Sequence, residues 1–184
     1  MSDAFPIDVD TLGNLKPLNQ VVFSLGSNQG DSVDILQAAV DRLAETPNLI
    51  VVDVSPVYLT KPVGNVDQPD FYNAVLIADS TLEPTTLLER ANAIEQAYGR
   101  YRDPGNPGGP RTLDIDLIVV GQRTSDTEAL KLPHPRAHER AFVLVPWLDI
   151  DPRASLPQGR VDDLVATMDT SGVRRLDDAR IMKP

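Results

Sequence analysis

Asp114 and Asp116 stand two residues apart in Arg111-Thr112-Leu113-Asp114-Ile115-Asp116-Leu117, at the head of an apolar run that continues through Val120. The run reads as a strand, and side chains alternate faces along a strand. Both carboxylates therefore project to one side, while Leu113, Ile115 and Leu117 point the other way, into a core. Two carboxylates about 7 Å apart, two residues of strand rise, can hold one or two hard divalent cations. Arg111 sits just upstream, at the end of a loop with three glycines and three prolines between residues 100 and 111. Carboxylates for a metal beside a guanidinium for phosphate are what phosphoryl-type transfer needs. A solvated strand start with two surface carboxylates has the same spacing, so spacing alone leaves both readings open.

A second apolar stretch, Phe71 to Ala78, carries Phe71, Asn73, Val75 and Ile77 on one face. An Asn in an apolar stripe is costly unless its amide finds partners. Phe71 beside it offers a flat surface. A planar heterocycle with donors and acceptors on its edge would satisfy both residues. So would a core Phe71 with Asn73 bonded to loop backbone.

The elements that must position these residues alternate between strand and helix. Gln20 to Leu25 reads as a short strand ending in Gly26-Ser27-Asn28-Gln29-Gly30-Asp31. A helix follows, with Leu36, Ala39, Val40 and Leu43 at helical spacing. Leu49 to Thr60 reads as one long Val-rich strand and Pro62 to Pro69 as a loop. Pro84 suits the first turn of a second helix. Its Leu87, Leu88, Ala91, Ile94 and Tyr98 share a face, and Gly99 is a stop. Beyond the Asp-x-Asp strand, Gly121 to Ala129 reads as a turn and Leu132 to Arg136 as a Pro-rich connection. Glu139 to Leu148 reads as a short helix with Trp147 in the core, and Val161 to Met168 as another. This order predicts an α+β fold: a ferredoxin-like sandwich, mostly antiparallel, with helices packed on the sheet and mobile active-site loops. Residues 1–19 read as a poorly ordered N-terminal extension, 20–170 as a single domain and 171–184 as a C-terminal tail.

At 184 residues and a net charge of -10, the chain can build one core. Its acidity argues against nucleic acid and anionic membranes as partners. No apolar run approaches the length of a membrane span, and Met1 to Pro17 lacks the basic and apolar regions of a signal peptide. Cysteine is absent, which removes disulfides and thiolate metal sites. A cytoplasmic monomer is the expectation. A polyanionic substrate must then be met by local positive charge, and Arg100, Arg102, Arg111, Arg136 and Arg140 fall within one third of the chain. Neither Gly-x-x-x-x-Gly-Lys-Ser/Thr nor Gly-x-Gly-x-x-Gly occurs, so nucleotide binding would rest on arginines, metal and other loops.

Four segments occur in a telling order: Gly26-Ser27-Asn28, Asp67-Gln68-Pro69-Asp70-Phe71-Tyr72-Asn73-Ala74, Gly109-Pro110-Arg111-Thr112-Leu113-Asp114-Ile115-Asp116, and Leu132-Pro133-His134-Pro135-Arg136 with Glu139-Arg140-Ala141-Phe142. Together they resemble the 6-hydroxymethyl-7,8-dihydropterin pyrophosphokinases of folate biosynthesis, over residues 21 to 157. The resemblance implies transfer of the diphosphoryl group of ATP to the hydroxymethyl oxygen of the pterin, with AMP released and two Mg²⁺ ions bound. It makes Asp114 and Asp116 the metal ligands and Arg100 and Arg111 the loop arginines acting on the triphosphate. It places Arg102, His134 and Arg140 at the phosphates and Glu95 and Leu117 near the nucleoside; Asn92 and Lys131 are further ATP-binding candidates. Phe71 and Phe142 become the aromatic pair around the pterin, Asn73 the residue on its edge, and Gly26, Thr60 and Val63 the pocket lining. No strong general base is evident.

Some positions depart from the family pattern. Lys61 stands where proline is common, and Lys131 where a small hydroxyl residue often lies. Asp103 to Gly108 carries no tryptophan, which some relatives have there. A ligand-binding regulatory module of the same topology and a metal-dependent nucleotidyltransferase are the other functional classes; the products of turnover separate all three.

Overall fold

The computed structural model describes residues 9–64, 67–99, 105 and 109–184. In chain order the elements are β1 (Asn19–Ser27), α1 (Ser32–Ala44), β2 (Leu49–Val54), β3 (Tyr58–Thr60), β4 (Phe71–Ser80), α2 (Pro84–Ala97) and β5 (Asp114–Val120). They continue with β6 (Ser125–Asp126), β7 (Lys131–Leu132), a 3-10 turn (Ala137–Glu139), α3 (Ala141–Ile150), β8 (Ser155–Leu156), β9 (Gly159–Arg160), α4 (Val161–Thr167) and β10 (Val173–Arg175). The main sheet runs β10-β3-β4-β1-β5, with β2 also on β4. Every pairing in it is antiparallel. With β2 and β3 taken as one interrupted strand, the order is the ferredoxin-like one.

Alternation along the strands sorts residues into two layers. Val21, Phe23 and Leu25 of β1, Ala74, Leu76 and Ala78 of β4, and Ile115 and Leu117 of β5 face α1 and α2. Those helices return Leu36, Ala39, Val40, Leu43, Leu87, Ala91 and Ile94, all buried. A change such as Leu36→Ala or Leu87→Ala in this layer costs about 2–5 kcal/mol. On the opposite face Val22, Val75, Ile77 and Ile118 pack under α3 with Val143, Leu144 and Trp147. Further along that same face the strands turn polar, to Ser24 and Gly26 on β1, Asn73 on β4, and Asp114 and Asp116 on β5. One face of one sheet is therefore a core at one end and an open site at the other.

Four local features differ from the sequence reading. Leu49 to Thr60 is two strands, because Ser55 and Pro56 break the ladder. The Ser55 N–H donates to Val75 O and its hydroxyl accepts the Val75 N–H, each at 2.8 Å, while Pro56 has no N–H to offer. The segment after β5 is a hairpin rather than a plain turn, with Ser125 opposite Leu132. The helix expected from Glu139 starts at Ala141, after the separate 3-10 turn. Finally, β5 carries a bulge: Val22 pairs Val119 and Phe23 pairs Leu117, so Ile118 is the extra residue. The bulge turns Val120 back to the helical face while Asp114 and Asp116 keep their common side. In the N-terminal extension, residues 9–18 form a turn around Asp10, whose Oδ1 accepts the Leu12 and Asn14 N–H groups.

Candidate active site

The strand register assembles the site. Gly26 lies opposite Asp114 on one side and Asn73 on the other, and Asn73 in turn opposes Tyr58. One row across the sheet is thus Tyr58–Asn73–Gly26–Asp114. Ser24 pairs Asp116 in the next row toward the core, and Thr60 pairs Phe71 in the row toward solvent. A Cβ at Gly26 would sit 2.9 Å from Asn73 Nδ2, so a larger residue in the central row must displace that amide. Over these rows opens a cavity of about 650 Å³ lined by Phe71, Thr60 and Val63 and by Asp114, Asp116, Arg111 and Arg140. Phe142, on the first turn of α3, also lines it.

Two buried atoms in this cavity lack a protein partner among the described residues: Asn73 Oδ1 and Thr60 Oγ1. The Asn73 amide nitrogen is engaged, donating to Leu25 O at 3.3 Å. Leaving such groups unsatisfied costs about 1–3 kcal/mol each, so a ligand supplying donors recovers that energy.

In the same cavity each aspartate is tied to an arginine, and each arginine to an aromatic ring. Arg111 Nη1 lies 2.9 Å from Asp114 Oδ2 and its guanidinium 5.5 Å from the Phe71 ring centre. Arg140 Nη1 lies 3.5 Å from Asp116 Oδ2 and its guanidinium 5.6 Å from the Phe142 ring. A polyphosphate with its cations would draw the arginines to itself and leave the carboxylates to metal and the ring faces to a flat ligand.

The sequence model of the 7,8-dihydro-6-hydroxymethylpterin-pyrophosphokinase family matches residues 22–152. The chain belongs to that family. A 2-amino-4-hydroxy-6-hydroxymethyldihydropteridine pyrophosphokinase of Pseudomonas aeruginosa is 41% identical over 160 residues, covering 86% of this chain and 98% of the relative. One from Methylorubrum extorquens is 42% identical over 161 residues, covering 87% and 100%. One from Mycobacterium tuberculosis is 47% identical over 150 residues, 76% of each. In fold the chain is similar to a wild-type Plasmodium falciparum HPPK-DHPS crystallised with pteroate, with a TM-score of 0.65 at 13% identity over 82% of this chain and 42% of that one. The chain spans less than half of that longer protein.

In this pyrophosphokinase-family chain the structure brings together all six residues expected at the pterin (Gly26, Thr60, Val63, Phe71, Asn73 and Phe142), with Arg111, Asp114, Asp116 and Arg140 around the same cavity. Arg100 and Arg102, and most of the loop between Arg100 and Arg111, lie outside the described residues. The residues expected near the nucleoside lie on α2 and β5. Leu117 is buried at 4% exposure in the layer facing α1 and α2. Glu95, 3% exposed, accepts the Ile115 N–H at 3.1 Å. It braces the strand between the two aspartates. Asn92 is half-buried on α2 and outside the cavity lining. Lys131 is on the small hairpin, in an exposed ion pair with Asp126 at 2.7 Å.

His134 hangs beside β5, with its N–H donating to Ile118 O at 2.8 Å. Burial, with Arg140 and Arg136 adding and Asp114 opposing, pushes its imidazole down from 6.5 to about 4. Nδ1 accepts the Arg136 N–H at 3.2 Å. A backbone N–H can only donate, so the ring proton sits on Nε2, and the neutral ring is a donor.

Asn28 is the residue whose role sequence reasoning left unassigned. Its Oδ1 accepts the Arg111 N–H at 2.8 Å, and its Nδ2 donates to Gln68 Oε1 and Pro69 O, each at 3.0 Å. One buried amide thereby clamps the segment that leads into Phe71 to the segment that leads into Asp114. The Gly-Ser-Asn signature was visible; the two distant partners were not.

The donor set suits Mg²⁺. Among the described residues no group of three or more His, Asp or Glu could hold a metal. Two hard carboxylates on one strand face are what Mg²⁺ takes from protein when phosphates and water complete its shell.

Proposed function

We propose that this chain transfers the diphosphoryl group of ATP to the hydroxymethyl oxygen of 6-hydroxymethyl-7,8-dihydropterin in folate biosynthesis. The hydroxymethyl oxygen bonds to the β-phosphorus, the bond from that phosphorus to the oxygen bridging the α-phosphorus breaks, and AMP leaves with the bridging oxygen. The hydroxyl proton is released. Supporting this reading is one arrangement above all: Asn73 Oδ1 and Thr60 Oγ1, without partners among the described residues, line one cavity with two aromatic rings, two carboxylates and two arginines.

Phe71 and Phe142 stack the pterin, while Asn73 and Thr60 accept from its edge. That orientation directs the hydroxymethyl group toward Asp114 and Asp116, and such positioning carries much of the rate. Asp114 and Asp116 would hold the Mg²⁺, two ions in this reading. When bound, Mg²⁺ supplies charge neutralisation for the polyphosphate and lowers the pKa of the attacking hydroxyl. Arg111 and Arg140 leave their aspartates for the phosphates and stabilise charge as the bridging bond breaks. His134 donates from Nε2 to a phosphate oxygen. We place the enzyme in the cytoplasm as a monomer; no helix among the described residues is long and apolar enough to cross a membrane.

Product analysis tests the reaction. AMP and pterin diphosphate in equal amounts are expected. Release of pyrophosphate would indicate nucleotidyl transfer instead, and absence of turnover a binding module.

A further inference from the structure

The last residues of the chain reach the same cavity. Asp169, Ser171, Gly172 and Val173 line it. Val173 stands opposite Thr60 across β10 and β3, so the outer row of the sheet reads Val173–Thr60–Phe71, and all three residues face the cavity. The ladder is closed at both ends, by the Lys61 N–H donating to Gly172 O at 3.0 Å and the Leu176 N–H donating to Val57 O at 2.9 Å.

Beyond β10 the chain crosses the edge of the sheet to its other face. Leu176 and Ala179 pack against the α1/α2 layer and Ile181 is buried in it. Met182 then locks onto α1: its N–H donates to Gln37 Oε1 at 2.6 Å, and Gln37 Nε2 donates to Met182 O at 3.0 Å. The segment is a strap anchored on β3 at one end and on α1 at the other. Without it β3 would be a three-residue edge strand held by β4 alone, and so short a strand has little stability of its own. Thr60, with its unsatisfied Oγ1, is the last residue of that strand.

We propose that the strap from Asp169 to Met182 is a positioning element of the pterin pocket, with β10 fixing β3 so that Thr60 meets the edge of the heterocycle and Val173 backing it. The inference rests on the functional reading above, which places the pterin beside Thr60. Its selectivity follows from placement: Arg111, Asp114, Asp116 and Arg140 sit on β5 and the segments before β5 and α3, and none belongs to β3 or β10. Loss of the strap therefore weakens the pterin and spares the nucleotide.

Arg174→Pro in the full chain tests this. Arg174 is exposed, faces Leu59 in the register and is outside the cavity lining, and a proline there breaks the ladder. Pterin and a non-hydrolysable ATP analogue are titrated separately with Mg²⁺ present, and KM is measured for each substrate alongside kcat. The pterin Kd and KM are expected to rise about tenfold, the loss of one net hydrogen bond, with ATP-analogue affinity and kcat within about twofold. Unchanged pterin affinity, or an equal fall for both ligands, would overturn the proposal. Val173→Ala decides the matter if the proline variant does not fold: it keeps the backbone pairing and removes only the backing of Thr60, so an unchanged pterin Kd overturns the proposal and a selective rise supports it. Wild-type protein that binds no pterin would instead overturn the functional reading itself.

Discussion

Gly26 and Asn73 oppose each other across β1 and β4 so closely that a Cβ on the glycine would fall 2.9 Å from Asn73 Nδ2. The glycine thus sets the amide's position, and the amide offers its unsatisfied Oδ1 to the cavity. Gly26→Ala should displace the Asn73 side chain and weaken pterin binding by about 1–2 kcal/mol, one misplaced hydrogen bond. ATP-analogue affinity should hold. Isothermal titration of the two ligands checks this; equal pterin affinity in variant and wild type would remove Asn73 from the pocket.

Phe71 and Phe142 carry the stacking. Either residue replaced by alanine should cost the pterin about 1–3 kcal/mol, the range for a base stacked on an aromatic side chain. Each change also frees an arginine from its ring, so ATP binding should change little or improve slightly. If the nucleotide weakens while the pterin does not, the two rings have been assigned to the wrong ligand.

Asn28→Ala separates the segments before Phe71 and Asp114 without touching a ligand-facing side chain. Three hydrogen bonds go with it, and the Arg111 N–H and Pro69 O lose their partner. Stability should fall by about 1–3 kcal/mol, with faster amide exchange at residues 67–70 and 109–112. Exchange unchanged in both segments would show that the clamp holds neither.

His134 titrates low, at about 4 against an ordinary 6.5. The unfolded chain therefore binds the proton first as pH falls. The stability tied to the neutral ring is complete above pH 6.5 and is lost progressively toward pH 4. His134→Gln, which keeps a side-chain donor, should flatten that part of the stability-versus-pH curve. An imidazole NMR midpoint near 6.5 would contradict the burial argument.

Much of this was legible in the sequence, for identifiable reasons. The Asp-x-Asp strand and the Asn73 stripe depend only on period-2 alternation, and both survive in the fold with their faces as expected. The register that sets Gly26 between Asn73 and Asp114 depends on pairings between distant strands, which no local pattern encodes. The strap was missed because β10 has three residues, too few for a period to show. Glu95 and Leu117 were placed by resemblance alone. Alternation already pointed Leu117 toward the core, and the core is where it lies. Asp126 captures Lys131 across a two-residue hairpin too short to announce itself as strand.

Turnover by Asp114→Ala and Asp116→Ala, with Mg²⁺ as the sole divalent metal and AMP as the measured product, tests the central claim most directly. Both side chains lie on the open end of their sheet face, so each variant should fold as the wild type does, with a matching circular dichroism spectrum and thermal midpoint. Each should release no AMP above background. A well-folded variant that turns over at the wild-type rate would contradict the assignment of this carboxylate pair to the metal and, with it, the chemistry placed in the cavity.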